Sequence, residues 1–179
     1  MDIKKIIKEN FEESVKTSNA SSSELLTSIQ SATQKVIKII DSGGKILSCG
    51  NGGSSGDAQH LSSELVNRFE KERKEIAGIS LNSDTAIMTA IANDYDYKYI
   101  FAKQINALAN SKDLLVAFTT SGNSENILEA IKSAKTKQVS ILLITGNNGG
   151  NASKLLNDND IEIRVPSNRT SRIQEIHLI

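Results

Sequence analysis

Apolar residues near the N-terminus recur every three or four positions, a period typical of amphipathic helices. The first series is Ile3, Ile7, Phe11 and Val15, and the second is Leu25, Ile29, Ala32, Val36 and Ile39. The first series predicts a helix over residues 3–17. The second predicts a helix that begins at a capping-box pattern, Ser21 with Glu24, and ends at Gly43-Gly44.

After residue 44 the apolar residues form short continuous runs, as expected of strands buried on both faces. The predicted strands are 45–49, 76–81, 113–118, 139–144 and 161–165. Helical segments separate them, at about 54–68, 83–93, 97–109, 124–136, 151–157 and 170–179. This alternation predicts an α/β protein with a parallel sheet and right-handed crossovers. We expect a single domain, residues 1–179, in which helices within 1–44 precede an α/β core at 45–179.

The N-terminal helix pair precedes any strand, which is a common arrangement for helices that contact another subunit. We therefore expect residues 1–44 to mediate oligomerisation. The alternative is that both helices cover the sheet of their own chain.

The composition narrows the class of protein. The chain has 179 residues, of which 38% are hydrophobic and 23% charged, as in an ordinary globular domain. Its 21 basic and 21 acidic residues give no net charge, which argues against nucleic acid or a membrane surface as a partner. A single Cys excludes an internal disulfide and favours a cytoplasmic protein. No apolar stretch approaches the roughly 18 residues of a membrane span.

Three predicted strands end in loops rich in Gly, Ser, Thr and Asn: loop one (50–56), loop two (119–124) and loop three (145–150). In a parallel sheet such loops gather at the carboxyl edge, where ligands bind. Loop one is not a dinucleotide fingerprint, since Ser55 stands at the third Gly position, and it lacks the Lys of a P-loop. A nucleotide-binding oxidoreductase is therefore disfavoured. The alternative for loop one is a tight turn without a ligand.

Loop two is more specific. It places four hydroxyl groups at the start of a predicted helix: Thr119, Thr120, Ser121 and Ser124. Free backbone N–H groups and the helix dipole favour an anion at this position. We therefore expect a monoester phosphate to bind here without help from Lys or Arg. The alternative, that Ser124 only caps the helix beside Glu125, accounts for one hydroxyl of the four.

Two pairs of polar residues have helical spacing. His60 and Glu64 are four positions apart on the helix that loop one opens, so both face the same side. Such a pair can share a metal or transfer protons, although a surface hydrogen bond is the alternative. Gln174 and His177 are three positions apart near the C-terminus, where a solvated helix face is the alternative.

These motifs together resemble the sugar isomerase (SIS) domain family, of the phosphoheptose isomerase type. The matching segments are 48–54, 57–60 with Glu64, 92–94, 120–124, 145–146 with 149–150, and 172–177. The resemblance implies a flavodoxin-like three-layer sandwich with a five-stranded parallel sheet and an N-terminal helix pair. It also implies a homotetramer that interconverts sedoheptulose 7-phosphate and D-glycero-D-manno-heptose 7-phosphate. That reaction is the first step towards the heptose of bacterial lipopolysaccharide or capsule.

The resemblance also implies roles for individual residues. Asn51, Gly52 and Gly53 contact the sugar, Asn93 and Asp94 bind its hydroxyls, and Thr119, Thr120, Ser121 and Ser124 hold the phosphate. Glu64 is the catalytic acid/base, and both Glu64 and Gln174 also contact the substrate. One zinc ion per subunit is implied, with His60, Glu64 and Gln174 as ligands. Isomerisation through an enediol needs a base and a positive charge near the carbonyl, which this set provides.

One departure from the family pattern concerns the C-terminus. The family's second acid/base and fourth zinc ligand is a His eight residues beyond the Gln, which here falls past Ile179. His177 lies only three residues beyond Gln174 and does not inherit that role. Because Leu178-Ile179 carries no helix stop signal, we expect the C-terminal helix to be truncated here. The natural chain would continue for about two turns, roughly seven residues, and carry this His.

Two related functions compete with the isomerase. One is a non-catalytic SIS-domain tetramer that binds the replication initiator protein, which segments 67–70, 81–82 and 90–94 resemble. Position 64 is not acidic in that relative, so Glu64, together with Gly53, favours the enzyme. The other is a phosphosugar sensor, which usually adjoins a DNA-binding module that 179 residues do not accommodate.

Overall fold

Five parallel strands form the centre of the protein, which a computed structural model describes over residues 1–179. The strands are β1 (Ile46–Gly50), β2 (Gly78–Ser80), β3 (Leu114–Phe118), β4 (Ser140–Gly146) and β5 (Ile161–Val165). Their order in the sheet is β2-β1-β3-β4-β5. This is the flavodoxin-like order, in which β1 and β3 are neighbours and the order in which strands are added to the sheet reverses between them. The predicted fold class is confirmed.

Eight α-helices surround the sheet. They are α1 (Ile3–Glu24), α2 (Leu26–Asp41), α3 (Gly53–Val66), α4 (Thr85–Asp94), α5 (Ile100–Leu108), α6 (Glu125–Thr136), α7 (Gly150–Ser153) and α8 (Thr170–Leu178). A short 3-10 helix, Tyr97–Tyr99, precedes α5. None of these helices combines the length and the apolar character needed to cross a lipid bilayer.

Alternating strand residues build the two outer layers, because successive side chains point to opposite faces of a sheet. On one face Leu47 and Leu115 pack into a core with residues of α5 and α6. On the other face Ile46 and Val116 pack against α2 and α3. Cys49 belongs to the first core, and burial raises the pKa of its thiol to about 12. It therefore fills apolar space, as the sequence predicts.

The N-terminal helices differ from the prediction at their junction. The predicted capping box is wrong, because α1 continues through Ser21 to Glu24 and Leu25 joins it to α2. The serines of this segment do not stop the helix. Ser22 and Ser23 instead donate their hydroxyls to the carbonyl of Asn19, one turn back along the same helix.

The two apolar series of the N-terminal helices have different surroundings. Val36 and Ile39 of α2 pack against the core of their own chain. The series on α1 is exposed: Ile3 is 61%, Ile7 53%, Phe11 71% and Val15 58% accessible. Only the second helix therefore covers the sheet of its own subunit, and α1 leaves an apolar stripe on the surface.

Charged residues hold α1 against α8. Arg172 of α8 is buried, and its Nη1 donates to the carbonyl oxygen of Asn10 at 3.0 Å and lies 2.9 Å from a carboxylate oxygen of Glu175. Its Nε lies 3.8 Å from the Glu13 carboxylate, which also pairs with Arg169. The position of α8 on the sheet therefore depends on α1.

We predict that Arg172→Ala lowers the free energy of unfolding by about 2–3 kcal/mol, the range for losing hydrogen bonds to a charged group. Arg169→Ala is the matched control, because Arg169 also pairs with Glu13 but its side chain is 51% exposed. Exposed pairs contribute below about 1 kcal/mol. Urea denaturation at one fixed protein concentration measures both values. Equal losses for the two variants would contradict the role assigned to burial.

Candidate active site

The three loops meet at the carboxyl edge of the sheet, as predicted. Loop one follows β1 and leads into α3 on one face, and loop two follows β3 and leads into α6 on the other face. Because β1 and β3 are neighbours in the sheet, their loops diverge and leave a crevice between them. This is the usual place for a ligand in an open parallel sheet.

Loop one is fixed by a buried side chain that the sequence analysis missed. Asn82, which follows β2, accepts a hydrogen bond from the Gly50 N–H at 3.1 Å and donates to the Gly50 carbonyl at 2.9 Å. The feature that could have identified Asn82 is its position directly after the strand that pairs with β1, because a polar residue there lies at the carboxyl edge of the sheet, where ligands bind. Gly52 then turns the chain into α3 with a φ of 55°, in the left-handed region that favours glycine.

Gln174 lies against loop one. A β-carbon placed on Gly53 would fall 2.5 Å from Nε2 of Gln174, so a side chain there would require the Gln174 amide to move. A similar contact places Ile173 over Gly146 at the end of β4, where an added β-carbon would lie 2.4 Å from the Ile side chain. Helix α8 therefore crosses the carboxyl edge closely enough for Gln174 to reach the predicted sugar-binding residues.

Loop two leaves hydroxyl groups available at the start of α6. Ser124 occupies the N-cap position, yet its side chain makes no capping hydrogen bond, so the capping alternative is wrong. Thr119 is buried and its Oγ1 accepts the Gly122 N–H at 3.2 Å, an arrangement that shapes the loop. Ser121 is exposed and Thr120 and Ser124 are half-buried, so none of these three side chains is fully enclosed.

Loop three supports loop two through the backbone. The Ala152 N–H donates to the Gly122 carbonyl at 2.9 Å, and the Asn151 N–H donates to Oδ1 of Asn123 at 3.0 Å. The two loops are so close that a β-carbon on Gly122 would lie 2.0 Å from the carbonyl oxygen of Gly149. Loop three and the start of the helix that follows it therefore support loop two.

A half-buried carboxylate anchors loop three in turn. Glu162 of β5 accepts hydrogen bonds from Thr145 at 2.6 Å and Ser153 at 2.8 Å, and it pairs with Arg164 at 2.5 Å. Burial by itself raises the pKa of the Glu162 carboxyl, but these hydrogen bonds outweigh it and hold the pKa below its ordinary value. The carboxylate therefore stays ionised and keeps its partners at neutral pH.

His60 and Glu64 lie together on α3, as predicted, with His60 Nε2 3.6 Å from Oε1 of Glu64. Both side chains are partly exposed and line a cleft of about 300 Å³ between α2, α3 and α8. Most of the cleft is apolar, so the few polar groups in it stand out. Two of them, Asp57 and His177, were not among the predicted site residues.

Each of these two side chains has a buried polar atom without a hydrogen-bond partner, Oδ2 in Asp57 and Nδ1 in His177. Burial raises the pKa of the Asp57 carboxyl, and the neighbouring His60 opposes that shift. Burial also lowers the pKa of His177, while its hydrogen bond with the Thr145 carbonyl, at 3.0 Å, opposes that shift. Because a carbonyl only accepts, Nε2 of His177 carries the proton, and the free Nδ1 is an acceptor.

The last predicted pair, Asn93 and Asp94, lies at the C-terminal end of α4. Nδ2 of Asn93 donates to Asp94 Oδ1 at 2.8 Å, and both residues are exposed. The segment that follows does approach loop one, since the hydroxyl of Tyr97 lies 3.4 Å from Oδ1 of Asn51. The structure therefore brings Gln174 against loop one and places the His60–Glu64 pair on the helix that loop one opens, but no hydrogen bond joins Asn93 or Asp94 to these residues.

Comparison with known proteins agrees with this fold. Residues 10–146 match the family model of the SIS domain. The phosphoheptose isomerase of Colwellia psychrerythraea is 51% identical over 97% of this chain and 88% of its own length. The chain therefore belongs to the SIS domain family and, within that family, to the phosphoheptose isomerases.

Solved structures of phosphoheptose isomerases have the same fold as this chain. A phosphoheptose isomerase from Francisella tularensis superimposes with a TM-score of 0.97 and 40% identity, covering 99% of this chain and 93% of that one. The phosphoheptose isomerase GmhA from Neisseria gonorrhoeae superimposes with a TM-score of 0.94 and 37% identity, covering 98% and 92%.

We predict that Gly122→Ala weakens the binding of inorganic phosphate at least tenfold. A β-carbon there would overlap the Gly149 carbonyl and displace loop two. Gly43→Ala is the control, because Gly43 shares a positive φ, 75° against 67°, but has no atom within 4 Å of the added carbon. Both variants should lose about 1–2 kcal/mol of stability from backbone strain alone. Calorimetric titration with phosphate that gave equal affinities would show that loop two does not bind it.

Proposed function

We propose that this protein is an aldose–ketose isomerase that interconverts sedoheptulose 7-phosphate and D-glycero-D-manno-heptose 7-phosphate. The observation that supports this most directly is that loop two offers hydroxyls without a basic side chain, while the helix that loop one opens carries the adjacent His60 and Glu64 side chains. The names and high identity of the relatives support the same activity. A phosphosugar is therefore the proposed substrate.

The phosphate would bind to the hydroxyls of Thr120, Ser121 and Ser124 and to backbone N–H groups in the first turn of α6. The free hydroxyl of Ser124 supports this, since nothing within the helix uses it. Thr119 would act through the loop, because its hydroxyl already accepts the Gly122 N–H. Hydrogen bonds and the helix dipole together stabilise a dianion without a basic side chain.

The sugar would extend from loop two towards loop one. Asn51, Gly52 and Gly53 would contact it there, with Gln174 alongside, a placement that agrees with the close approach of Gln174 to Gly53. Asn93 and Asp94 are proposed to bind sugar hydroxyls. The support for that pair is the family resemblance alone, since no contact in the chain joins it to the loops.

Glu64 is the proposed base. Its carboxylate would remove a proton from carbon 1 of the ketose, which gives an enediol, and return a proton to carbon 2, which gives the aldose. The hydroxyl proton moves from oxygen 1 to oxygen 2, in the same direction as the carbon-bound proton, so the reaction is balanced. General acid–base catalysis of this kind contributes about 10²–10⁴-fold to the rate. The apolar lining of the adjoining cleft restricts water near the carboxylate.

Zinc is the proposed cofactor, one ion per subunit, with His60, Glu64 and Gln174 as ligands. His60 and Glu64 are donor types that zinc accepts, and their donor atoms already face each other at 3.6 Å. No group of three His, Cys, Asp or Glu side chains is placed to hold a metal, so the third donor in this proposal is the amide of Gln174. When bound, the ion would supply positive charge to polarise the substrate carbonyl.

We further propose that the protein is a cytoplasmic homotetramer that serves lipopolysaccharide or capsule synthesis. The exposed apolar series on α1 supports assembly, because burying four large apolar side chains against another subunit is favourable. The free Cys49 is compatible with a reducing compartment. The alternative function, binding of a replication initiator, is disfavoured because Glu64 faces His60 in the site.

We predict that Ser121→Ala and Ser124→Ala each weaken the binding of sedoheptulose 7-phosphate by about 1–3 kcal/mol, the range for losing a hydrogen bond to a charged group. Ser133→Ala, in the last turn of the same helix, should leave binding unchanged. Calorimetric titration gives the affinities. A double variant of Ser121 and Ser124 that binds as tightly as the parent would place the phosphate elsewhere.

We predict that Glu64→Gln lowers turnover of sedoheptulose 7-phosphate by about 10²–10⁴-fold or more, because the amide keeps the size but not the basicity of the carboxylate. Glu129→Gln, which alters an ion pair on the outside of α6, should retain full turnover. NMR of the incubated sugar phosphate follows the reaction. An active Glu64→Gln protein would rule out the proposed base, and a parent that binds initiator without turnover would favour the alternative function.

A further inference from the structure

Two asparagine side chains join loop one to the start of α6. Nδ2 of Asn51 donates to Oδ1 of Asn126 at 2.8 Å, and Nδ2 of Asn126 donates back to Oδ1 of Asn51 at 2.7 Å. The two amides therefore form a closed pair with two hydrogen bonds. Asn51 belongs to the proposed sugar-binding residues, whereas Asn126 had no assigned role.

Asn126 is well placed to hold its partner still. It lies in the first turn of α6, two residues after Ser124, and is only 3% exposed. Its backbone belongs to α6, which follows loop two, and its side chain reaches Asn51 of loop one. The pair thus spans the point between β1 and β3 where the two loops diverge. A buried amide whose oxygen and nitrogen are both hydrogen-bonded keeps one orientation, because breaking these bonds would leave polar atoms without partners.

The pair also determines which atoms of Asn51 remain available. Oδ1 of Asn51 accepts from Asn126 and lies 3.4 Å from the hydroxyl of Tyr97. Nδ2 of Asn51 uses one of its two hydrogens on Asn126. The second N–H is therefore the side-chain polar group that Asn51 can offer to a ligand. It would donate to a sugar oxygen at a fixed distance from the phosphate loop.

We propose that Asn126 is a positioning residue that sets the distance between the sugar-binding and phosphate-binding ends of the site. It does not touch the substrate and acts only through Asn51. This inference rests on the proposed function, since it assumes that a sugar phosphate bridges the two loops. Its consequence is that Asn126 affects a ligand that reaches both loops and not a ligand that occupies loop two alone.

A double-mutant cycle tests this with the full-length protein: Asn51→Ala, Asn126→Ala and the double variant, each measured for kcat/KM on sedoheptulose 7-phosphate. Asn126→Ala should lower kcat/KM about 10- to 100-fold, as expected when reacting groups lose their alignment. In the Asn51→Ala background the same change should cost less than about threefold, because residues that act as a unit are not additive. Binding of inorganic phosphate should be unchanged in all three variants.

Two further variants serve as controls. Tyr97→Phe removes the hydroxyl near Asn51 but leaves the amide pair, so it should change kcat/KM less than about threefold. If Asn126→Ala fails to fold, as judged by circular dichroism, Asn126→Ser removes the pair with a smaller loss of polar contact and replaces it in the cycle.

The outcomes separate this inference from the proposed function. If the parent turns over the substrate but the losses at positions 51 and 126 are additive, Asn126 is not a positioning residue. The same holds if Asn126→Ala also weakens inorganic phosphate, since Asn126 would then support loop two alone. If the parent shows no turnover, the proposed function fails. The cycle is then measured on the affinity for sedoheptulose 7-phosphate, where additive losses would again overturn the inference.

Discussion

Loops two and three contact each other backbone to backbone at the carboxyl edge of the sheet, and the site depends on that contact. Gly122 and Gly150 each face a carbonyl of the other loop at distances that leave no room for a side chain. The contact fixes the position of the hydroxyls in loop two without using any of their own hydrogen-bonding capacity. A phosphate site made of hydroxyls and N–H groups needs this rigidity, because each such hydrogen bond is short-ranged and directional.

Charged side chains position the loops of this protein from outside the crevice. The chain has no net charge, and loop two contains neither Lys nor Arg. The strong ion pairs lie outside the crevice, where Glu162 with Arg164 anchors loop three and Arg172 with Glu13 and Glu175 anchors α8. These ion pairs therefore act by holding loop three and α8 in place. Loop three in turn supports loop two, whose hydroxyls and N–H groups carry no charge.

Helix α8 contacts both α1 and loop one. One side of it meets α1 through Arg172, and Gln174 on the same short helix lies against Gly53 of loop one. Helix α1 also carries the exposed apolar series proposed as an oligomer contact. A change in how α1 packs against another subunit would therefore reach Gln174 through a few direct contacts. This arrangement gives a physical reason why assembly and activity would depend on each other.

The local pattern of apolar and polar residues determined much of the fold. Continuous apolar runs identified five strands, and the loops after β1, β3 and β4 followed from their Gly, Ser and Thr content. The parallel topology then required those loops to share one edge. The His60–Glu64 pair was equally predictable, since a spacing of four within one helix fixes their proximity.

Only the tertiary structure decided the contacts between distant segments. Nothing local indicates that Asn82 holds Gly50, that Asn126 pairs with Asn51, or that Gln174 rests on Gly53. The helix junction at Leu25 was also mispredicted, because the serines of α1 satisfy their hydroxyls within the helix. The physical reason is the same in each case. Periodicity and capping report on neighbours along the chain, whereas an amide or a hydroxyl takes whichever partner the folded chain brings within about 3 Å.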